Sequence, residues 1–156
     1  MYVSCIGSRH ITRSHNKSLL LYHIVCPVKY RREVLTDGVA KTLRELCLGI
    51  QSRYDINFLE IGTDGDHVHF LVQGTPTASP KELVQTIKSI TAKHLFKHHP
   101  EIKQMLWGGE FWTKGYYINT VGQYANESII RKYVQNQGKP YTKLHQGQST
   151  LFEGLE

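Results

Sequence analysis

The apolar residues of this chain fall into short runs and helical stripes that alternate along the sequence. Residues 19–25 form an apolar run of strand length, and Pro27 closes it because proline cannot donate to a ladder. Over residues 36–54 the apolar positions recur at helical spacing, which predicts a first helix capped by Thr36 or Asp37. The pattern therefore opens with a strand followed by a helix.

The next segments predict a hairpin and, further along, a fourth strand. Residues 56–63 fit a second strand, and Asp64-Gly65 is a turn pair that leads into a third strand at His67. The aromatic and glycine-rich residues 107–118 are expected to form a loop that feeds a fourth strand ending near Val121.

Two further helices carry start and stop signals. Ser79 and Glu82 have the spacing of a capping box, with Pro80 in the first turn, so a second helix is expected to begin there. It should end near residue 97, before Pro100. A third helix is predicted over residues 127–137, with a cap before it and a glycine after it.

This order of elements is the split βαβ pattern of ferredoxin-like folds. We predict an α/β (α+β) fold with an antiparallel sheet, the first and third strands central, both helices on one face and the other face open. An extra C-terminal helix would follow. The 156 residues should form one domain, with a flexible arm at residues 1–17 and a polar tail at residues 139–156.

Composition narrows the function classes. Lysine and arginine outnumber aspartate and glutamate by 19 to 13, which favours a polyanionic partner. The three cysteines have no CxxC spacing, which argues against a disulfide framework and a structural zinc site. No apolar run approaches the ~20 residues that span a bilayer. We expect a soluble, cytoplasmic protein without a membrane partner.

Two histidines on the predicted third strand are the first candidates for chemistry. His67 and His69 are two positions apart, so they leave the sheet on one face, about 6.6 Å apart along the strand. That spacing suits one metal ion and makes half of a site. A histidine-triad hydrolase would need a third histidine where Leu71 stands, and a two-histidine phosphodiesterase would need two His-x-Thr/Ser motifs. A third alternative, in which the histidine strand binds a metal and a later helix supplies a nucleophilic tyrosine, is compatible with the sequence.

The predicted third helix carries such a tyrosine. Tyr133 and Gln137 are four positions apart and therefore share one helix face. Asp64 and Asp66 have the wrong strand parity to join the histidines directly, so we expect them in the turn or as outer partners of the site.

Four stretches of the chain, in this order, resemble the single-tyrosine HUH transposases of small insertion sequences and their repeat-associated relatives. They are residues 22–31, 66–71, 106–122 and 130–137. The resemblance implies that Tyr133 attacks a DNA phosphate and forms a 5′-phosphotyrosine. It also implies that His67, His69 and Gln137 bind a divalent metal, Mg²⁺ or Mn²⁺.

The same resemblance implies single-stranded DNA with hairpins as substrate and a homodimer with composite active sites. No nucleotide cofactor is expected, in keeping with the lack of a GxxxxGK[ST] loop. The rivals are a non-catalytic module that only binds hairpins and a replication initiator or relaxase with similar chemistry.

Basic and aromatic residues are the candidates for DNA contact. The basic ones are Lys29, Arg31, Arg32, Lys88, Lys93, Arg131 and Lys132. The aromatic ones are Trp107, Trp112, Tyr116 and Tyr117, at least half of which we expect to pack in the core instead.

Overall fold

The structure is a computed structural model, and it describes residues 10–122. In chain order its elements are β1 (Ile11–Arg13), β2 (Asn16–Ser18), β3 (Leu20–Pro27), a short 3₁₀ helix (Lys29–Arg31), α1 (Asp37–Arg53), β4 (Asn57–Asp64), β5 (His67–Gly74), α2 (Pro80–His98), α3 (Ile102–Met105) and β6 (Tyr117–Val121). The predicted C-terminal helix lies outside the described residues.

Four strands form the main sheet in the order β4-β5-β3-β6. Every neighbouring pair is antiparallel. The strands β3 and β5, the first and third of this sheet along the chain, are therefore central. The ferredoxin-like α+β prediction is confirmed.

Both long helices begin where their capping signals predicted. The Thr36 hydroxyl accepts from Val39 N at 3.4 Å and caps α1. At the start of α2, Ser79 Oγ accepts from Glu82 N at 3.1 Å, while Glu82 Oε2 accepts from Ser79 N at 2.8 Å. Each such cap typically contributes about 1 kcal/mol.

The main core lies between the sheet and the two long helices. Val68, Phe70 and Val72 of β5 are fully buried in it, together with Leu43 of α1 and Ile87 of α2. Because successive strand residues point to opposite faces, His67, His69 and Leu71 lie on the other side of the sheet. We call this side the histidine face.

The histidine face is less open than predicted. Leu21, Leu59, Leu71 and Val121 form a second apolar cluster on it, each exposed by no more than 6%. The central strands carry apolar residues at positions of both parities, so part of this face packs apolar side chains against one another instead of presenting them to ligands.

Two local predictions need correction. The predicted flexible arm contains a hairpin, in which Ile11 pairs with Ser18, and Arg13 Nη2 forms an ion pair with Asp55 at 3.1 Å. Residues 1–9 lie outside the described range. The turn between β4 and β5 is Gly65-Asp66, one position later than predicted, because Asp64 still pairs with His67.

The stretch before β6 also differs from the prediction. No helix was expected there, but α3 forms a single turn ahead of the aromatic loop.

Among residues 10–122, no helix combines the length and apolar character that crossing a bilayer requires.

Candidate active site

His67 and His69 lie side by side at the start of β5, on the histidine face. Their ring centroids are 5.0 Å apart. The His67 side chain retains 17% of its exposure, whereas the His69 residue retains 5%. The pair is thus anchored to a central strand whose other face is fully packed, and one ring lies nearer to solvent than the other.

His67 is oriented by an acidic neighbour. Its Nδ1 donates to Asp66 Oδ1 at 2.6 Å, and Arg31 Nε donates to Asp66 Oδ2 at 2.9 Å. Partial burial alone would raise the pKa of Asp66, but the hydrogen bonds from His67 and Arg31 outweigh it and hold that pKa below its ordinary value. In a neutral His67 ring, a hydrogen on Nδ1 leaves Nε2 with the lone pair.

His69 is oriented by another histidine. His69 Nδ1 and His23 Nε2 are 2.9 Å apart, and the two rings stack with centroids 5.2 Å apart and planes inclined by 9°. Burial lowers the pKa of His69 to about 2 and that of His23 to about 4. Both rings are therefore neutral at physiological pH.

The far nitrogen of His69 fits a metal ligand. Within residues 10–122, His69 Nε2 is buried and has no hydrogen-bond partner. A buried imidazole nitrogen normally has a partner, so this atom and His67 Nε2 are two suitable donors for one cation. The same part of the chain contains no group of three or more His, Cys, Asp or Glu side chains placed for a metal.

The structure does not describe the predicted site residues of the C-terminal helix. Tyr133, Gln137, Arg131 and Lys132 all lie outside the described residues. Their roles stay predictions, as does their distance from the histidines.

Two of the predicted DNA contacts near β3 are occupied by ion pairs. Lys29 Nζ donates to Glu110 Oε2 at 2.6 Å, and this bond raises the pKa of Lys29 and lowers that of Glu110. Arg31 is exposed but bonds to Asp66, while Arg32 is exposed. Arg31 thus contacts the partner of His67, a contact that the sequence did not predict.

Lys88 and Lys93 line one groove. The groove has a volume of about 880 Å³ and runs between α2 and the loop over residues 109–116. Lys88 Nζ donates to the carbonyl oxygen of Thr113 at 2.6 Å and approaches two further carbonyls of this loop at 3.3 Å. It therefore holds the loop against α2, whereas Lys93 is exposed.

The prediction that at least half of the four aromatics pack in the core is wrong. Only Trp112 does so, at 5% exposure, with its Nε1 donating to Thr91 Oγ1 at 3.0 Å. Trp107, Tyr116 and Tyr117 are exposed by 82%, 38% and 47%. Trp107 is followed by Gly108 and Gly109, both with positive φ, which glycine adopts readily.

The sequence did not indicate His23 as a site residue. His23 lies within the apolar run of the first strand, residues 19–25, and is not one of the candidate metal ligands or nucleophiles. Strand parity places it with Leu21, opposite the core residues Tyr22 and Ile24. Combined with the pairing of β3 and β5, this parity would have brought His23 to the histidine face.

Comparison with known proteins supplies the family. The family described as IS200-like transposases matches residues 16–137. The ISDra2 transposase TnpA of Deinococcus radiodurans is 33% identical over 118 residues, which cover 76% of this chain and 84% of that protein. The IS200 transposase of Salmonella typhimurium is 30% identical over 128 residues, 80% of each chain.

A solved structure agrees with this match. The crystal structure of a candidate transposase from Deinococcus radiodurans R1 aligns with a TM-score of 0.65 and 30% identity, covering 81% of this chain and 96% of that one. The family match, the two relatives and the shared fold lead to one conclusion: this chain belongs to the IS200-like transposases.

Proposed function

We propose that this transposase cleaves and rejoins single-stranded DNA through a covalent link between Tyr133 and a 5′-phosphate. The observation that supports this most strongly is the pairing of His67 and His69 on a central strand, each with one ring nitrogen already engaged. In a chain that belongs to a transposase family, such a pair is suited to act on a phosphodiester.

In the proposed reaction, the Tyr133 phenolic oxygen attacks phosphorus and loses its proton. The bond from phosphorus to the 3′-oxygen breaks, and that oxygen takes up a proton to become a 3′-hydroxyl. A 3′-hydroxyl then attacks the phosphotyrosine, which restores a phosphodiester and frees the tyrosine. The covalent link conserves the bond energy, so joining needs no nucleotide cofactor.

His67, His69 and Gln137 would hold a divalent ion, Mg²⁺ or Mn²⁺. All three side chains are neutral ligands, so the bound ion would keep its full charge and would polarise the scissile phosphate. Water and phosphate oxygens would supply the oxygen ligands that such ions prefer. Residues of this chain would orient the two imidazoles. Asp66 is bonded to the His67 ring, and His23 contacts the His69 ring.

We further propose that the substrate carries hairpins and that the protein acts as a homodimer with composite sites. Exposed Lys93 in the groove, together with exposed Arg32, offers positive charge to phosphates, and Trp107 offers a stacking surface.

The test uses single-stranded oligonucleotides from the DNA that flanks the gene of this chain. Each is labelled at its 3′ end, incubated with Mg²⁺ or Mn²⁺ and run on a denaturing gel. A 5′-phosphotyrosine carries the 3′ fragment, so a slow, protease-sensitive band should appear only with this label. A 5′ label should instead mark a shortened strand that ends in a 3′-hydroxyl.

Tyr133→Phe should abolish the slow band while hairpin binding persists. Tyr141→Phe is the matched control, because Tyr141 lies in the same tryptic peptide, residues 133–143. Fragmentation of that peptide should locate the nucleotide on Tyr133. A covalent band that survives in Tyr133→Phe would contradict the nucleophile. Hairpin binding without cleavage in the wild-type chain would favour the non-catalytic module instead.

The composite site has its own test. His67→Ala and Tyr133→Phe are each expected to be inactive, and mixing them should restore cleavage if the tyrosine of one chain serves the histidines of the other. Mixed variants that stay inactive, although they exchange subunits, would contradict the composite arrangement.

A further inference from the structure

His23 is a buried histidine that the proposed chemistry does not use directly. It lies on the central strand β3, where Leu71 of β5 is its register partner and His69 is one step along the same face. The His23 and His69 rings stack, and their facing nitrogens are 2.9 Å apart. Only 2% of His23 and 5% of His69 remain exposed.

One hydrogen is shared between these two rings. Because both are neutral, each carries one N–H and one lone pair. If His69 donates, its Nε2 keeps the lone pair; if His23 donates, the hydrogen of His69 moves to Nε2. The direction of a single hydrogen bond therefore decides whether His69 can bind a cation through Nε2.

Asn119 of β6, the neighbour of His23 across the strand pair, favours one direction. It is the register partner of His23 in the β3–β6 pairing, and its Nδ2 donates to Thr120 O at 3.1 Å. Its amide oxygen is thus the group that can meet His23. Because the Asn119 amide nitrogen is engaged by Thr120, the amide oxygen is the atom left to face the His23 ring across the strand pair, and an oxygen there favours a hydrogen on His23 Nδ1. In that arrangement His23 accepts through Nε2.

We infer that His23 is a positioning residue that, with Asn119, holds His69 with its hydrogen on Nδ1 and its Nε2 lone pair directed to the cation. This inference rests on the metal site proposed above. The reverse arrangement would place an N–H on buried His69 Nε2, which has no acceptor within residues 10–122. His23 itself touches neither the cation nor the DNA in this scheme.

The direct test is the tautomer of His69 in the metal-free, full-length chain. With ¹⁵N-labelled histidine rings, long-range ¹H–¹⁵N correlation spectra distinguish a protonated nitrogen from one with a lone pair. We expect His69 to carry its hydrogen on Nδ1, and His23 likewise. A wild-type His69 protonated on Nε2 would overturn the inference, whether or not the protein binds metal.

Two variants add an independent readout. His23→Phe keeps a flat ring for stacking but removes the acceptor, so His69 should shift toward the Nε2–H form. Mn²⁺ affinity, followed by EPR titration, should fall about 10- to 100-fold, which is typical for the loss of an outer partner of a ligand. His23→Gln supplies an amide oxygen as acceptor and should recover part of that affinity.

The control is His98→Phe, on the far side of the sheet at the end of α2, which should bind Mn²⁺ as the wild type does. If His23→Phe binds weakly but His69 keeps its wild-type tautomer, His23 is merely structural and the inference is wrong. If the wild-type chain binds no Mn²⁺, the proposed metal site fails, and the wild-type tautomer alone still decides the inference.

Discussion

The two histidines of β5 are two positions apart, yet they are held in opposite ways. His67 is bonded to a carboxylate at the rim of the sheet, and that carboxylate pairs with an exposed arginine. His69 is bonded to a second imidazole inside the protein, where burial keeps both rings neutral. We call these the rim arm (His67, Asp66, Arg31) and the buried arm (His69, His23, Asn119).

The two arms hold an imidazole by different means, one by charge and the other by burial. The rim arm uses a charge-assisted bond, which solvent and salt weaken. The buried arm uses neutral groups, which salt leaves unchanged but which resist protonation. Each arm engages Nδ1, so in each the Nε2 is the nitrogen left for a cation.

Removing either imidazole should have the largest effect. His67→Ala and His69→Ala should each reduce cleavage by at least about 100-fold, because losing a ligand costs more than losing its outer partner, typically 10- to 100-fold. His67→Ala should keep the fold, since the His67 side chain lies at the rim of the sheet and is still 17% exposed. Circular dichroism and adduct formation on gels measure both properties. Full cleavage in either variant would remove that histidine from the site.

Removing the hydrogen bond between His67 and Asp66 should have the second-largest effect. Asp66→Ala leaves His67 without its acceptor, and we expect Mn²⁺ affinity to fall about 10-fold, at the lower end of the usual range because His67 can turn to water. Asp66→Asn retains an acceptor oxygen and should fall less. Isothermal titration compares the two variants, and an equal loss in both would indicate that charge rather than orientation matters.

Acid should separate the two arms by their effect on stability. An unfolded His23 gains a proton near its ordinary pKa of 6.5, whereas the folded one does so only near about 4. With respect to His23, the free energy of unfolding is therefore at its maximum above about pH 6.5 and falls as the pH drops toward 4. The contribution of Asp66, whose pKa is lowered from 3.8, is present above 3.8 and is lost only below it.

Urea unfolding at pH 7.0 and pH 4.5 tests this difference. His23→Phe lacks one buried imidazole and should lose less stability between the two pH values than the wild type. Asp66→Ala should lose about as much as the wild type over the same interval. A His23→Phe chain as acid-sensitive as the wild type would contradict the neutral buried arm.

The smallest effect is expected at the exposed end of the rim arm. The Arg31 side chain is 58% exposed, and exposed ion pairs contribute about 0–1 kcal/mol. Arg31→Gln should therefore change Mn²⁺ affinity by no more than a few-fold, and added salt should erase the difference from wild type. A large, salt-independent loss would show that Arg31 acts by another route, such as direct contact with DNA.

Local signals predicted most of the fold. Helix caps depend on residues three apart, so Thr36 and Ser79 could be identified from the sequence. The shared face of His67 and His69 follows from strand parity alone. Long-range pairing could not be read this way. His23 meets His69 only through the β3–β5 register, and Lys88 meets its carbonyls only because the loop after α3 folds back onto α2.

The proposed site requires two neutral imidazoles of β5 to bind one divalent ion. Pulsed EPR of Mn²⁺ bound to the full-length chain tests this requirement, because nitrogen couplings count the imidazoles on the metal. We predict one Mn²⁺ per chain with couplings from two imidazoles, one of which disappears in His67→Ala and the other in His69→Ala. A bound ion whose nitrogen couplings persist unchanged in both variants would contradict the account.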